Sequence, residues 1–205
     1  MNLRTERRVV VGPAGDLVCA LDTPSHGPSK GLAVVCHPHP LHGGTLDNKV
    51  VATLARAFVQ TGWRSARFNF RGVGGSAGTW DEGRGEIDDA LAVIAALRAD
   101  AHEPLALAGF SFGAYVASHA ARVHVPRQLV LVGPATQNFT VAPVPPGTLV
   151  IHGESDEVVP LADTLDWARP QTLPVVVVPG AGHFFHGLLP LLKSLVVHHL
   201  CAATP

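Results

Sequence analysis

Short apolar runs rich in β-branched residues alternate along the chain with longer segments whose apolar residues recur at helical spacing. The first pattern predicts strands at Leu32–Cys36, Trp63–Phe70, Leu105–Ala108, Arg127–Val132, Thr148–Ile151 and Val175–Val178. The second predicts helices at Asp47–Thr61, Gly85–Asp100, Leu161–Ala168 and Leu188–His199. This alternation predicts an α/β fold, a mostly parallel sheet with helices on both faces joined by right-handed crossovers.

The N-terminal segment follows a different pattern. Glu6–Val11 and Asp16–Leu21 are β-rich and flank the turn sequence Gly12-Pro13-Ala14-Gly15. That arrangement predicts an antiparallel hairpin. The length of the chain fits one domain over residues 1–205, with the hairpin added to the parallel sheet.

Three acidic residues open the second helical pattern. Glu86, Asp88 and Asp89 fall in the first turn of the predicted helix Gly85–Asp100. The dipole of a helix favours negative charge at its N-terminus, so we expect these side chains to stabilise that end.

Composition narrows the class of protein. Hydrophobic residues make up 47% of the chain and charged residues 15%, which fits a sheet buried on both faces. A net charge of −1 gives no attraction to nucleic acid or to an anionic membrane. Met1–Arg8 has no apolar signal core, and no apolar run reaches the roughly 18 residues of a membrane helix. We expect a cytoplasmic protein in which Cys19 and Cys36 are buried, reduced thiols.

The sequence Gly109-Phe110-Ser111-Phe112-Gly113 lies between the strand-like run Leu105–Ala108 and the helical run Ala114–Ser118. A serine on a sharp turn between a strand and a helix projects its hydroxyl above the sheet, where a substrate carbonyl can reach it. Glycine is needed on both sides because a side chain there would collide with a neighbouring element. This context predicts that Ser111 is a nucleophile.

A nucleophilic serine needs a base to take its proton and a carboxylate to orient that base. Asp156 follows the strand-like run Thr148–Ile151, and His183 follows Val175–Val178. The carboxyl ends of parallel strands meet at one edge of a sheet, so we expect both side chains near Ser111. The neighbouring Glu154 and Glu157, and His186, are the rival residues for these two roles.

The order Ser111, Asp156, His183 resembles that of the α/β-hydrolase superfamily. Further motifs make the chain similar to a group of small, lidless bacterial serine hydrolases from about residue 30 to about residue 190: Cys36–Gly44, Phe68–Ser76, Gly109–Gly113, Gly153–Asp156 and Gly180–His183. The resemblance implies that Ser111 is the nucleophile, His183 the general base and then acid, and Asp156 the orienting carboxylate.

The resemblance also implies an oxyanion hole, built from the backbone N–H of the residue after the nucleophile and one from the loop after the strand Leu32–Cys36. The first is Phe112. In the loop, Pro38 and Pro40 have no N–H, which leaves His39 as the donor between them. Leu41 is the alternative donor.

The connection between Val132 and Thr148 contains four prolines and no helical period. We therefore expect no lid domain and an exposed site, which favours small or protruding substrates over long acyl chains. Proximity to the motifs suggests the following pocket residues: Leu41, Arg71, Trp80, Phe110 and Phe184. Arg71 would bind a substrate carboxylate or, more often for such an arginine, pair internally and hold a loop.

Three other interpretations of the sequence are less well supported than a serine hydrolase. His37, His39 and His42 suggest a metal site, but the intervening prolines make alternate side chains diverge, and no Asp or Cys completes a ligand set. Gly72–Gly78 resembles a phosphate-binding loop but lacks the Lys and Ser/Thr that such loops require. A non-catalytic binding or scaffold protein on a hydrolase fold also remains open.

Together these observations predict a serine hydrolase that cleaves small carboxylic esters or thioesters through an acyl-enzyme, without a metal or other cofactor. The expected partner is a small-molecule substrate. A peptidase or acyltransferase would share the same intermediate, so the reaction class stays open at that level.

Overall fold

The computed structural model describes residues 4–202 and has an eight-stranded sheet at its centre. The strands are β1 Arg4–Gly12, β2 Gly15–Thr23, β3 Leu32–Cys36, β4 Arg64–Phe68, β5 Leu105–Phe110, β6 Gln128–Val132, β7 Leu149–Gly153 and β8 Val175–Val178. Their order across the sheet is β1-β2-β4-β3-β5-β6-β7-β8. β2 is antiparallel to both of its neighbours, and all other pairs are parallel. The predicted parallel sheet and N-terminal hairpin are confirmed.

Helices cover both faces of this sheet. They are α1 Lys49–Gln60, α2 Arg84–Leu97, α3 Phe112–Val123, α4 Leu161–Ala168 and α5 Leu189–Ala202. Successive side chains of a strand point to opposite faces. In β3, Val34 accordingly packs in the layer that contains α2 and α3, whereas Val35 packs in the layer that contains α1 and α5. The strand β3 is therefore buried on both sides.

Most predicted elements differ from the observed ones by one to three residues at their ends, and the differences in β4 and β5 bear on the candidate site. β4 ends at Phe68 instead of Phe70, because the N–H of Phe70 donates to the ring of His37 at 3.1 Å and not to a strand. β5 is longer than predicted and continues to Phe110, the residue directly before Ser111.

The prediction for the first turn of the second helix is partly wrong. α2 begins at Arg84, so only Glu86 lies in its first turn. The carboxylate of Glu86 accepts hydrogen bonds from two backbone amides just before the helix. Asp89 lies further along, and its carboxylate is bound to Arg71.

The connection from residue 133 to residue 147 contains neither helix nor strand, as predicted, so within residues 4–202 no lid covers the carboxyl edge of the sheet. No helix in the described part of the chain is both long enough and apolar enough to cross a membrane. Cys19 and Cys36 are free and buried, as predicted. Burial raises the pKa of Cys19 to about 12, so this thiol stays protonated at neutral pH.

Candidate active site

Ser111 occupies a strained turn between β5 and α3. Its φ of 56° and ψ of −119° are values that a non-glycine residue rarely adopts. A β-carbon at Gly109 would lie 2.1 Å from the carbonyl oxygen of Gly113, and one at Gly113 would lie 2.2 Å from that of Cys36. Both glycines are therefore required by close backbone approach. The turn is held by the Ser111 N–H, which donates to the carbonyl of Val132 at 2.9 Å.

Asp156 lies in the loop between β7 and α4 with its side chain fully buried. One carboxylate oxygen, Oδ1, accepts hydrogen bonds from the backbone N–H groups of Val158 and Val159 at 2.9 and 2.8 Å. The other, Oδ2, lies 2.7 Å from Nδ1 of His183. Burial by itself would raise the pKa of Asp156, but the hydrogen bonds from His183 and from these two amides outweigh it and lower the pKa. Asp156 is therefore an anion that orients His183.

The imidazole of His183 is enclosed on several sides. The ring of Phe110 lies beneath it with 4.8 Å between ring centroids, and Phe184 meets it edge to face at 5.1 Å. A β-carbon at Gly133 would lie 3.3 Å from Cε1 of His183, so glycine leaves room for the ring. Gly133 directly follows Val132, the residue whose carbonyl holds the Ser111 turn.

The structure places Ser111, Asp156 and His183 at one edge of the sheet, but only Asp156 and His183 are hydrogen bonded to each other. His183 packs against Phe110, directly before Ser111, and close to Gly133. Within residues 4–202, no hydrogen bond joins the Ser111 hydroxyl to His183. Such bonds are often long before substrate binds, so the arrangement is compatible with a nucleophile and base pair.

The two backbone N–H groups that were expected to form an oxyanion hole are not used within the described part of the fold. The amides of His39 and Phe112 have no acceptor among the described residues, whereas the N–H of Leu41 donates to Nδ1 of His39 at 3.2 Å. Leu41, the alternative donor, is therefore already engaged. The loop is tight, because the N–H groups of His42 and Gly44 both donate to the carbonyl of His39.

A family model described as Serine aminopeptidase, S33 matches residues 27–146, more than half of the chain. The chain belongs to this family of α/β-hydrolases. XC6422 from Xanthomonas campestris, an a/b serine hydrolase without lid, superposes with a TM-score of 0.91 at 37% identity, covering 100% of this chain and 97% of that one. The membership confirms the superfamily and the lidless fold that the motifs suggest.

Two further relatives agree with this assignment. An α/β serine hydrolase homologue from Coxiella burnetii superposes with a TM-score of 0.83 at 38% identity, covering 98% of this chain and 100% of that one. The uncharacterised protein RP471 of Rickettsia prowazekii is 34% identical over 184 residues, covering 77% of this chain and 73% of the relative. The likeness to each of them extends over most of the chain.

Two of the three histidine rings in the loop after β3, those of His37 and His39, form hydrogen bonds within the fold. His37 is buried; its Nε2 accepts from the N–H of Phe70 at 3.1 Å, so Nδ1 carries the proton and donates to the carbonyl of Pro38 at 2.6 Å. Burial lowers its pKa to about 4, despite the opposing effect of the Pro38 carbonyl. Among the described residues, no group of three or more His, Cys, Asp and Glu side chains is placed to hold a metal ion.

The five predicted pocket residues have different surroundings. Leu41 and Trp80 line an open cavity of about 360 Å³, and Phe184 lines another of about 470 Å³ together with His183. Arg71 also borders the first cavity, but its guanidinium binds Asp89 through two nitrogens, the internal pairing that was the favoured alternative. Phe110 is fully buried, so it supports His183 from below and does not form part of an open wall.

One polar group behind the site was not singled out from the sequence. His152, at the end of β7, is fully buried, and its Nε2 lies 3.5 Å from Oδ2 of Asp156. The signal available in the sequence was a single ionisable residue in the otherwise apolar run Thr148–Gly153. A buried histidine in a strand is usually a structural residue, and only its position behind Asp156 makes it notable.

Proposed function

We propose that this protein is a serine hydrolase that cleaves small carboxylic ester or thioester bonds through an acyl-enzyme on Ser111. The observation that carries the proposal is the 2.7 Å bond between Asp156 and His183, at the same edge of the sheet as the strained Ser111 turn. An oriented imidazole, a serine on a sharp turn and free backbone amides are the parts that acyl transfer requires.

In the proposed reaction, Nε2 of His183 takes the proton of the Ser111 hydroxyl as the oxygen bonds to the substrate carbonyl carbon. Negative charge develops on the carbonyl oxygen and is stabilised by the N–H groups of His39 and Phe112, each worth about 3 kcal/mol of barrier. The bond to the leaving oxygen or sulfur then breaks, and His183 donates the proton to it. Asp156 stabilises the imidazolium throughout.

Water completes the cycle in the second half of the reaction. His183 removes a proton from a water molecule as its oxygen attacks the acyl carbon. The ester bond to Ser111 then breaks, and His183 returns the proton to the serine oxygen. The enzyme is regenerated and a carboxylic acid is released.

The open cleft favours short acyl groups. No lid follows β6, and Leu41 and Phe184 on the flanking walls are 66% and 44% exposed. A long acyl chain needs an enclosed apolar tunnel to remove it from water. The proposed substrate is therefore a small-molecule ester or thioester whose acyl group is short or protrudes into solvent.

The family description favours a second candidate, an aminopeptidase that cleaves an amide bond. The acyl-enzyme would be the same, but the site would also have to bind the α-ammonium group of a peptide. Glu157, which borders the cavity beside His183, supplies a carboxylate that is compatible with this role. A catalytically silent scaffold is the third possibility.

A substrate panel separates the three candidates. Purified protein is assayed with p-nitrophenyl esters of increasing acyl length, acyl-CoA thioesters and amino-acid p-nitroanilides. We expect acetyl and butyryl esters to be cleaved fastest, with at least about a thousandfold loss in Ser111→Ala. Ser65→Ala, which removes a buried hydroxyl in β4, is the matched control. Preferred cleavage of p-nitroanilides would favour the aminopeptidase, and no turnover at all would favour the scaffold.

A further inference from the structure

His152 lies at the centre of a buried polar chain behind the candidate triad. Its Nε2 is 2.9 Å from the carbonyl oxygen of Val159 and 3.5 Å from Oδ2 of Asp156. Its Nδ1 is 3.2 Å from the hydroxyl of Thr164 on α4. That hydroxyl is in turn 3.4 Å from the hydroxyl of Thr136, in the loop after β6.

The partners fix the protonation state of this ring. A carbonyl oxygen can only accept, so Nε2 of His152 carries the hydrogen and donates to Val159. Burial lowers the pKa of His152, although the Val159 carbonyl and Asp156 oppose that shift, so the ring is neutral and Nδ1 accepts from Thr164. The Thr164 oxygen is then free to accept from Thr136.

Oδ2 of Asp156 therefore faces two imidazoles. His183 donates to it at 2.7 Å, and the Nε2–H of His152 approaches it at 3.5 Å. Val159 is held from both sides as well, because its N–H donates to Oδ1 of Asp156 while its carbonyl accepts from His152. The carboxylate is thus fixed in position. Its Oδ2 accepts a hydrogen bond from His183, and the partial positive charge of the His152 Nε2–H lies close to it.

We propose that His152 is a positioning residue of the hydrolytic reaction: its Nε2–H, which donates to the Val159 carbonyl, places a partial positive charge beside Oδ2 of Asp156 and so limits how strongly His183 holds its proton. This inference rests on the proposed function, because it assigns His152 a role toward the Asp156 and His183 pair. The physical basis is that a donor near a carboxylate stabilises its charge and weakens its pull on a second donor.

The surroundings of His152 leave few other titratable groups to produce such an effect. Asp156, from the loop that follows its own strand, and His183, from the loop after β8, are the ionisable side chains that act on it. From α4 and the loop after β6, the contacts are the hydroxyls of Thr164 and Thr136.

The test compares His152→Phe with His152→Gln. Phenylalanine keeps the approximate volume without an N–H, whereas the amide nitrogen of glutamine can occupy the place of Nε2 and donate. We expect His152→Phe to lower kcat/KM on a short p-nitrophenyl ester about tenfold and to move the midpoint of its pH dependence upward by about one unit, because the buried carboxylate loses the N–H dipole beside it. His152→Gln should restore most of both quantities.

A second measurement does not depend on turnover. The hydrogen between Nδ1 of His183 and Asp156 should give a low-field proton NMR resonance, which we expect to move downfield in His152→Phe and to return in His152→Gln. If His152→Phe does not fold, Thr164→Val is measured in its place. This change removes the hydroxyl that donates to His152, so we expect a smaller upward shift of the midpoint. Thr164→Ser, which keeps the hydroxyl, is the control. The proposal is overturned if the folded variants keep the wild-type midpoint and resonance while only thermal stability falls. Absence of turnover in the wild type would instead overturn the proposed function.

Discussion

Asp89 and Asp156 are both carboxylates with fully buried side chains, but their regions of the molecule use that charge differently. Asp89 on α2 is bound by Nε and Nη2 of Arg71 and by the Arg71 backbone N–H. Asp156 is bound by two backbone amides and by His183. The hydrogen bond to Asp89 raises the pKa of Arg71 above the already high value of an ordinary arginine, so this guanidinium never releases a proton at physiological pH.

The difference shows that burial and pairing of a carboxylate do not make a catalytic site. A histidine changes protonation state at moderate pH, so the Asp156 region can support proton transfer, whereas the Asp89 region can only hold the fold together. The ion pair between Arg71 and Asp89 is also tightly packed, since a β-carbon at Gly85 would lie 1.9 Å from Nη1 of Arg71.

The largest expected effect comes from Asp156→Asn. An asparagine keeps the shape but not the charge, so His183 loses the partner that fixes its tautomer and stabilises its protonated form. We expect kcat/KM on a short ester to fall by about 10³- to 10⁴-fold. The measurement is steady-state hydrolysis, with circular dichroism to show that the fold is kept. A loss of less than about tenfold would place the orienting carboxylate elsewhere, with Glu154 and Glu157 as the next variants to test.

The matching change in the other region is Asp89→Asn. It leaves the largely buried guanidinium of Arg71 without a counter-charge, which should reduce the free energy of unfolding by about 3 kcal/mol. Urea denaturation measures this, and Asp88→Asn at the neighbouring, exposed position should change stability by less than about 0.5 kcal/mol. The folded Asp89→Asn enzyme should keep far more activity than Asp156→Asn. A larger loss of activity in Asp89→Asn than in Asp156→Asn would contradict the contrast between the two regions.

Low pH should destabilise the protein through a third buried ionisable group, the imidazole of His37. The pKa of His37 is about 4 in the folded state, lowered by burial, against about 6.5 in the unfolded chain. Between these values the unfolded chain binds a proton that the folded chain does not, so the full stability is present above pH 6.5 and is lost as the pH falls toward 4. The expected loss at pH 4 is about 3 kcal/mol relative to pH 7.

Urea denaturation at a series of pH values checks this expectation. The pH range of this loss differs from the range that applies to Asp156. The lowered pKa of Asp156 gives stability that is lost only as the pH falls below about 3.8 and through the pKa of the folded state. His37→Gln should flatten the slope between pH 6.5 and pH 4. An equally steep slope in that variant would show that other groups account for it.

The smallest expected effect concerns a buried polar group with no partner at all. The hydroxyl of Ser65 in β4 has no hydrogen bond within the described residues, in contrast to the saturated carboxylates of Asp89 and Asp156. Ser65→Ala replaces the hydroxyl by hydrogen and leaves a methyl side chain, which removes a desolvation cost, so we expect stability to rise by about 0.5 to 1 kcal/mol. A drop in melting temperature would indicate that the hydroxyl has a partner after all.

Much of the fold was predictable because its signals are local. The valine run Val175–Val178 indicates a strand by composition alone, and the two glycines around Ser111 indicate a turn at which backbone segments approach closely. Element ends were less predictable, because they depend on distant groups. β4 stops early since the N–H of Phe70 is drawn to His37, which lies 33 residues earlier in the chain.

The candidate site was predictable only where each role is linked to a motif. The paired Asp156 and His183 follow strand ends that the sequence marks clearly. The partner of Asp89 was not evident, because Arg71 reaches it across 18 residues through tertiary packing. His152 was equally hidden, since a histidine in an apolar strand has no distinguishing neighbours in the sequence, and its position behind Asp156 arises only when β7 and the following loop are folded.

The central claim is that Ser111 is an activated nucleophile, and covalent labelling tests it most directly. Wild-type protein and Ser111→Ala are treated with a fluorophosphonate probe, and the adduct is located by peptide mass spectrometry, with Ser65→Ala as the matched serine control. We predict a single adduct on the peptide that contains Ser111 in the wild type and in Ser65→Ala, and none in Ser111→Ala. An unlabelled wild type, or equal labelling of Ser111→Ala, would contradict the account.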